Sequence, residues 1–132
     1  MRLILADDNI EMHKVVIRLL ENKYEIVGAV ADGRALVDAV EEFRPDVGII
    51  DISMPLLNGI EAVIEIKKQG SPMKIVFLTV NEDADFVRAA FEAGAEAYVV
   101  KRQMVTDLPI AVERALAGQE FISPGCDFPK SA

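Results

Sequence analysis

The sequence predicts an α/β fold in which five parallel strands form one sheet, in the order 2-1-3-4-5, with helices on both faces. Short and nearly continuous apolar runs alternate strictly with amphipathic stretches of helical period. The chain has 132 residues, of which 52% are hydrophobic and 27% are charged, so one domain with a substantial core is expected. Right-handed crossovers between successive parallel strands leave few other strand orders.

The five predicted strands share a β-branched and almost uniformly apolar character, which is typical of strands buried on both faces. They cover residues 3–6, 25–30, 47–51, 75–79 and 97–100. Five βα units of this kind predict a doubly wound sheet.

The first predicted helix carries one apolar stripe, at Met12, Val15, Val16, Leu19 and Leu20. Four later helices carry similar stripes and end near Pro45, Gly70, Gly94 and Gly118. The segment after Gly118 has two prolines, a glycine and no period, so it is predicted to form no further element. We therefore expect one domain over residues 1–119 and a linker or C-terminal tail over residues 120–132.

Composition excludes several classes of protein. No apolar run approaches the roughly 20 residues of a membrane span, and the N-terminus lacks the pattern of a signal peptide. Cys126 is the single cysteine, so no internal disulfide is possible and a reducing cytoplasm is expected. The net charge of −8 makes this domain a poor binder of nucleic acid by itself.

Polar side chains follow four of the predicted strands at the point where each strand ends. Asp7 and Asp8 follow the first strand, and Asp51, Thr79 and Lys101 end or follow the third, fourth and fifth. The carboxyl ends of parallel strands meet at one edge, and these four strands are neighbours in the predicted order. We expect the five side chains to lie within a few strand spacings of about 4.8 Å.

This set of side chains predicts phosphoryl-transfer chemistry. Three close carboxylates repel one another, and Mg²⁺ with oxygen ligands relieves that repulsion. Asp51 would then be a carboxylate nucleophile for phosphorus, with a metal on one side and a lysine on the other. Thr79 and Lys101 can each contact a phosphoryl oxygen.

The motifs LADDN, IIDISMPLLNG, IVFLTV and AYVVK, at these separations, resemble the receiver domain of two-component response regulators over residues 2–121. The resemblance implies a flavodoxin-like (βα)5 fold. It also implies that Asp51 accepts a phosphoryl group from a sensor histidine kinase, while Thr79 and Lys101 hold that group. Asp8, Asp51 and the backbone carbonyl of Ser53 would bind Mg²⁺ directly, with Asp7 acting through water.

The resemblance further implies a conformational switch. Tyr98 matches the family's switch aromatic, which turns inward when Thr79 moves toward the phosphate. The fourth helix, fifth strand and fifth helix would form the output face, over residues 83–117. The run ALAGQEFISP resembles the end of receivers joined to a helix-turn-helix effector, which implies transcription regulation through an attached DNA-binding domain. The output face could dock on that effector domain or pair with a second copy as a homodimer. Arg102 stands where the family often has a proline in a cis peptide, and a cis bond to a residue other than proline costs about 3 kcal/mol.

Other interpretations stay open at this stage. The chain could be a stand-alone receiver or a phosphorelay protein, or an interaction module that is never phosphorylated. A Mg²⁺-dependent aspartyl-phosphate phosphatase is disfavoured, because it needs a general acid where Ser53 stands. We therefore expect no enzyme beyond self-phosphorylation and slow self-dephosphorylation.

Three local predictions concern single positions. Asp8 or Asn9 could cap the first helix, and the acids of residues 81–85 are expected to cap the fourth. His13 is expected to be a solvated side chain.

Overall fold

The computed structural model describes residues 1–126 of the chain, and within them six strands and five α-helices alternate along the sequence. The strands are β1 Arg2–Ala6, β2 Glu25–Val30, β3 Val47–Ile50, β4 Lys74–Thr79, β5 Ala97–Val100 and β6 Phe121–Ile122. The helices are α1 Ile10–Leu20, α2 Gly33–Phe43, α3 Gly59–Lys68, α4 Ala84–Glu92 and α5 Met104–Leu116. A short 3-10 turn, Lys101–Gln103, joins β5 to α5.

All strands belong to one parallel sheet with the order β2-β1-β3-β4-β5-β6. The predicted order of the first five strands is confirmed. The prediction of five strands is wrong by one, because Phe121–Ile122 adds to the free edge of β5 as β6. The predicted tail therefore begins with a sheet element, while its residues 127–132 lie outside the described part. The proposed domain boundary at residue 119 stays a prediction.

The core consists of two layers, one on each face of the sheet. Successive residues of a strand point to opposite faces, so Ile75 and Phe77 pack with α2, α3 and α4, whereas Val76 and Leu78 pack with α1 and α5. Each of these four side chains is at most 2% exposed. This double coverage explains why the strands carry uninterrupted apolar runs rather than alternating ones.

The two predictions of helix capping can be compared with the geometry of the caps. Asn9 caps α1, and its side chain accepts a hydrogen bond from the backbone of Glu11. Asp83 holds the N-cap position of α4 and Asp85 lies in its first turn, as predicted, but the Asp83 side chain makes no capping hydrogen bond within residues 1–126. Among residues 1–126, no helix combines the length and the apolar character that crossing a membrane requires.

Candidate functional site

The carboxyl edge of the sheet carries Asp7 and Asp51 side by side. Ala6 and Ile50, the last residues of β1 and β3, are paired in register. The bonding continues beyond them, since the Asp51 amide donates to the Ala6 carbonyl at 2.9 Å and the Asp7 amide donates to Val30 at 3.0 Å. Backbone pairing on both acids fixes where their side chains leave the sheet.

The turn after Asp51 is held by close backbone packing. The Gly59 amide donates to the Ile52 carbonyl at 2.7 Å, and a Cβ on Gly59 would lie 2.1 Å from the Asp51 carbonyl oxygen. Asn58 and Glu61 form a reciprocal capping box at the start of α3. Residue 59 must therefore be glycine for α3 to begin directly against the end of β3.

Lys101 lies between the two buried acids. Its Nζ is 2.8 Å from Asp7 Oδ2 and 3.0 Å from Asp51 Oδ2. The lysine side chain is 13% exposed, and those of Asp7 and Asp51 are 5% and 7% exposed. Contacts between groups this deeply buried are much less screened by solvent than a surface ion pair. Asp7 Oδ1 also accepts a bond from the Asn9 amide at 2.9 Å.

The pKa values of Asp51 and Lys101 are both shifted by their surroundings. Burial raises the pKa of the Asp51 carboxyl, and the hydrogen bond and charge of Lys101 oppose that effect without cancelling it. Burial alone would lower the pKa of Lys101, but its bonds to Asp7 and Asp51 raise it overall. Lys101 is therefore charged at neutral pH, while the Asp51 carboxylate carries a desolvation cost that a further cation would relieve.

The arrangement fits a divalent cation such as Mg²⁺. Asp7, Asp8 and Asp51 each offer a carboxylate oxygen, and these oxygens lie within 4.8 Å of one another. Asp51 Oδ1 is buried and finds no hydrogen-bond partner within residues 1–126. Buried oxygens of this kind are rare without a ligand, and an all-oxygen set suits Mg²⁺. Asp8 is exposed, which leaves one side of the cluster open to solvent. The role of the Ser53 carbonyl stays a prediction.

Thr79 and Tyr98 are linked through a residue between them. Both are fully buried. The Asn81 side-chain amide donates to Thr79 Oγ1 at 3.1 Å, and the Tyr98 hydroxyl donates to the Asn81 backbone carbonyl at 2.8 Å. Burial raises the pKa of the Tyr98 phenol well above its usual range, so the hydroxyl stays protonated. The aromatic ring already lies inward in this structure.

The prediction that His13 is solvated is wrong. The residue is 7% exposed, and its Nε2 lies 2.7 Å from the backbone carbonyl of Asp7. A carbonyl can only accept, so Nε2 carries the proton and donates. The spacing contained a signal, since His13 lies three and seven residues before Val16 and Leu20, the other buried positions of α1.

Two further contacts at the site were not predicted. Arg102 forms a two-point ion pair with Glu82, with both distances 2.8 Å, and so connects the turn after β5 to the loop before α4. Ser123 and Asp107 form a buried hydrogen bond of 2.8 Å beside β5. Within residues 1–126 every peptide bond is trans, including the one after Lys101.

The fold and this site together define a flavodoxin-like α/β domain with a lysine-paired acidic cluster at the carboxyl edge of its sheet. Residues 3–113 match the family model of the response regulator receiver domain. The chain therefore belongs to the response regulator receiver family, and members of this family are phosphoacceptors.

Individual proteins agree with this assignment. The chain is 39% identical over 118 residues to the transcriptional regulatory protein PdtaR of Mycobacterium tuberculosis (strain ATCC 25618 / H37Rv), covering 88% of this chain and 57% of PdtaR. A LuxR-family response regulator structure from Aurantimonas sp. SI85-9A1 superposes with a TM-score of 0.89 at 33% identity, covering 93% of this chain and 89% of that one. The isolated receiver domain of RcsB from Salmonella enterica serovar Typhimurium, determined with the phosphomimetic BeF3⁻, gives 0.86 at 29% identity, with 94% of both chains covered. The chain spans about half the length of the curated relatives it matches.

Proposed function

We propose that Asp51 is the phosphoacceptor and that it takes its phosphoryl group from a phosphohistidine on a sensor histidine kinase. The observation that carries this proposal is Asp51 Oδ1, a buried carboxylate oxygen that accepts no hydrogen bond from residues 1–126 and belongs to a carboxylate paired with a charged lysine. Asp51 would attack phosphorus as the P–N bond to the histidine breaks, so that a P–O bond replaces it and the histidine leaves. The same attack applies to small phosphodonors such as acetyl phosphate.

Each neighbouring residue has a distinct task in this proposal. Lys101 would contact one phosphoryl oxygen through its ammonium group, which stays charged because the pKa of the lysine is raised. Asp8, Asp51 and the Ser53 carbonyl would hold Mg²⁺, with Asp7 contributing through water. When bound, Mg²⁺ would neutralise charge on the phosphoryl oxygens. The residues present fit that ion because the acidic cluster has an open side and an unpaired oxygen.

The two hydrogen bonds that link Thr79, Asn81 and Tyr98 support a proposed switch. If the Thr79 hydroxyl turns to a phosphoryl oxygen, Asn81 loses its acceptor and the loop before α4 must rearrange. That loop also holds the Tyr98 hydroxyl, so a change there reaches β5 and the face formed by α4, β5 and α5. For this to act as a switch, the phosphoryl group must stabilise the rearranged loop more than the arrangement seen here.

We further propose that this face controls an attached DNA-binding domain, or pairs with a second copy, in the cytoplasm. Support comes from relatives named transcriptional regulatory proteins, in which the matched region makes up only 53% and 57% of the length. A stand-alone receiver or phosphorelay protein is the alternative, and sequencing the reading frame beyond residue 132 would separate the two.

The phosphoacceptor assignment can be tested by incubating the protein with acetyl phosphate and Mg²⁺ and measuring the intact mass. We expect one added phosphoryl group, which Asp51→Asn abolishes. Asp38→Asn is the matched control, because Asp38 is an exposed acid on α2, and it should label like the wild type. Labelling that survives Asp51→Asn, or depends equally on Asp38, contradicts the assignment. Steady hydrolysis of a generic phosphate ester would instead favour a phosphatase.

A further inference from the structure

The segment after α5 is bonded to β5 along its length, beside the residues that carry the site. The Phe121 amide donates to the Glu96 carbonyl at 3.1 Å, and the Ser123 amide donates to the Tyr98 carbonyl at 2.9 Å. The Phe121 ring also lies 5.6 Å from the Arg114 guanidinium of α5. Two strand residues alone give little stability, so side-chain contacts must contribute to holding this segment.

The Ser123 side chain supplies the next bond of this ladder. Its hydroxyl accepts from the Val100 amide at 3.1 Å, where a parallel strand would otherwise present a backbone carbonyl. The same hydroxyl donates to Asp107 Oδ2 at 2.8 Å. Ser123 is 1% exposed and Asp107 is 5% exposed, so loss of either group would leave a buried polar atom unsatisfied.

Asp107 collects the rest of the network from the start of α5. Its Oδ2 also accepts from Gln103 Nε2 at 2.9 Å, and Gln103 in turn donates to the Pro124 carbonyl at 3.2 Å. The carboxylate thus ties together the turn after β5, the first turn of α5 and the segment beyond β6. Asp107 lies on a different element from the site acids and pairs with none of them in the described hydrogen bonds.

The bond to Val100 matters because of what flanks that residue. Val100 is paired in register with Thr79 of β4, and Lys101 follows it directly. Lys101 must reach from this strand end to both Asp7 and Asp51, and it does so at 2.8 and 3.0 Å. The backbone position of Val100 therefore sets the point from which the Lys101 side chain reaches these two oxygens.

From this geometry we propose that Ser123 and Asp107 are positioning residues for the phosphoacceptor site. They hold the end of β5 so that Lys101 Nζ lies between Asp7 and Asp51. The inference rests on the proposed function of Asp51, and it makes the segment through Ser123 part of the working domain rather than a free linker.

The test compares Ser123→Ala with Ser123→Thr, which keeps the hydroxyl, in the full chain of 132 residues. Ser71→Ala is the matched control. The Ser71 hydroxyl also accepts a hydrogen bond from a backbone amide, that of Met73 at 3.2 Å, but Ser71 precedes β4 and so lies at the opposite end of the sheet. Initial rates of acetyl phosphate labelling are measured over a range of Mg²⁺ concentrations, well below the melting temperature of every variant.

Ser123→Ala removes the hydrogen bonds of the hydroxyl to both Val100 and Asp107. We expect it to lower the maximal labelling rate by about fivefold, which corresponds to about 1 kcal/mol. The Mg²⁺ concentration for half-maximal rate should stay within about twofold, because Lys101 is not a metal ligand. Ser123→Thr should recover most of the rate, and Ser71→Ala should label normally. Asp107→Asn, which keeps an oxygen acceptor, should shift the rate in the same direction and serves if Ser123→Ala does not fold. A wild-type rate for Ser123→Ala, or an equal loss for Ser71→Ala, overturns the proposal.

A second readout separates this inference from the proposed function. NMR signals of the Val100 amide and of the Lys101 side chain, recorded without Mg²⁺ or phosphodonor, report the position of the strand end directly. Ser123→Ala should shift both sets, and unchanged Lys101 signals overturn the positioning role. Failure of the wild type to label would refute the phosphoacceptor assignment while leaving this measurement able to decide the role of Ser123.

Discussion

Replacing Lys101 with methionine should destabilise the metal-free protein at neutral pH. Methionine keeps most of the volume of the lysine stem but removes the charge that pairs with Asp7 and Asp51. Both acids then remain buried next to each other without that cation. The structure places this change at the site itself, so its effect measures the charge repulsion that we expect a bound metal to relieve.

Two limits bracket the size of the effect. Removing one partner of a buried ion pair costs about 3–5 kcal/mol. Uptake of a proton by one carboxyl caps the cost, because protonating an ordinary aspartate at pH 7 requires about 4 kcal/mol. With Asp7 and Asp51 only 5% and 7% exposed, we expect a loss of about 3–4 kcal/mol. For a chain of 132 residues this lowers the melting temperature by about 10 °C.

The dependence on pH has a defined sign. Burial raises the pKa of Asp51, and removing Lys101 raises it further because the lysine opposes that shift. Stability is therefore lost as pH rises from the unfolded-state pKa of Asp51 through its folded-state pKa. Lowering the pH to 5 should therefore reduce the penalty to about 1.5 kcal/mol, the cost of protonating an ordinary aspartate there. Saturating Mg²⁺ should raise the melting temperature of Lys101→Met more than that of the wild type.

Urea unfolding followed by circular dichroism, at pH 5 and pH 7, measures these quantities in a chain without tryptophan. Lys23→Met is the control, because it breaks a solvent-exposed ion pair with Glu113 and should change stability little. The double variant Lys101→Met/Asp51→Asn should recover part of the loss. Equal stability of Lys101→Met and wild type at pH 7, or a penalty that does not shrink at pH 5, would refute the reasoning.

Two other predictions concern Asp51 and the glycine packed against it. Burial raises the pKa of Asp51 in the folded state, so its negative charge destabilises the metal-free fold at neutral pH. Asp51→Asn should therefore be more stable than the wild type at pH 7. The difference in free energy of unfolding should vanish as the pH falls toward the unfolded-state pKa of the aspartate. A constant difference across that range would argue against the shift. Gly59→Ala should cost about 2–3 kcal/mol in urea unfolding, since its Cβ would lie 2.1 Å from the Asp51 carbonyl oxygen. Gly28→Ala is the control, because its Cβ would meet Ile4 at an ordinary 3.5 Å, and its stability should stay within about 1 kcal/mol of the wild type. Equal effects of the two changes would show that the close contact at Gly59 does not cause the loss of stability.

Local pattern and general rules of parallel sheets were enough to predict the first five strands, their order and the meeting of the acids with Lys101. Apolar runs identify strands, and parallel strands must end at the same edge, so Asp7 and Asp51 could be placed together before any coordinates were considered. The distances, the unpaired Asp51 Oδ1 and its shifted pKa required the folded chain, because they depend on how deeply the pair is buried.

Contacts between residues far apart in the chain were beyond prediction from pattern. Phe121–Ile122 shows no strand signal of its own, and it becomes a strand because β5 offers unpaired backbone groups at its edge. Arg102 and Glu82 lie 20 residues apart, and Asp107 and Ser123 lie 16 apart, so no helical or strand period connects them. The sequence alone determined which chemical groups reach the carboxyl edge of the sheet. Only tertiary packing decided which neighbours hold those groups in place, since that depends on surfaces that exist once the sheet has formed.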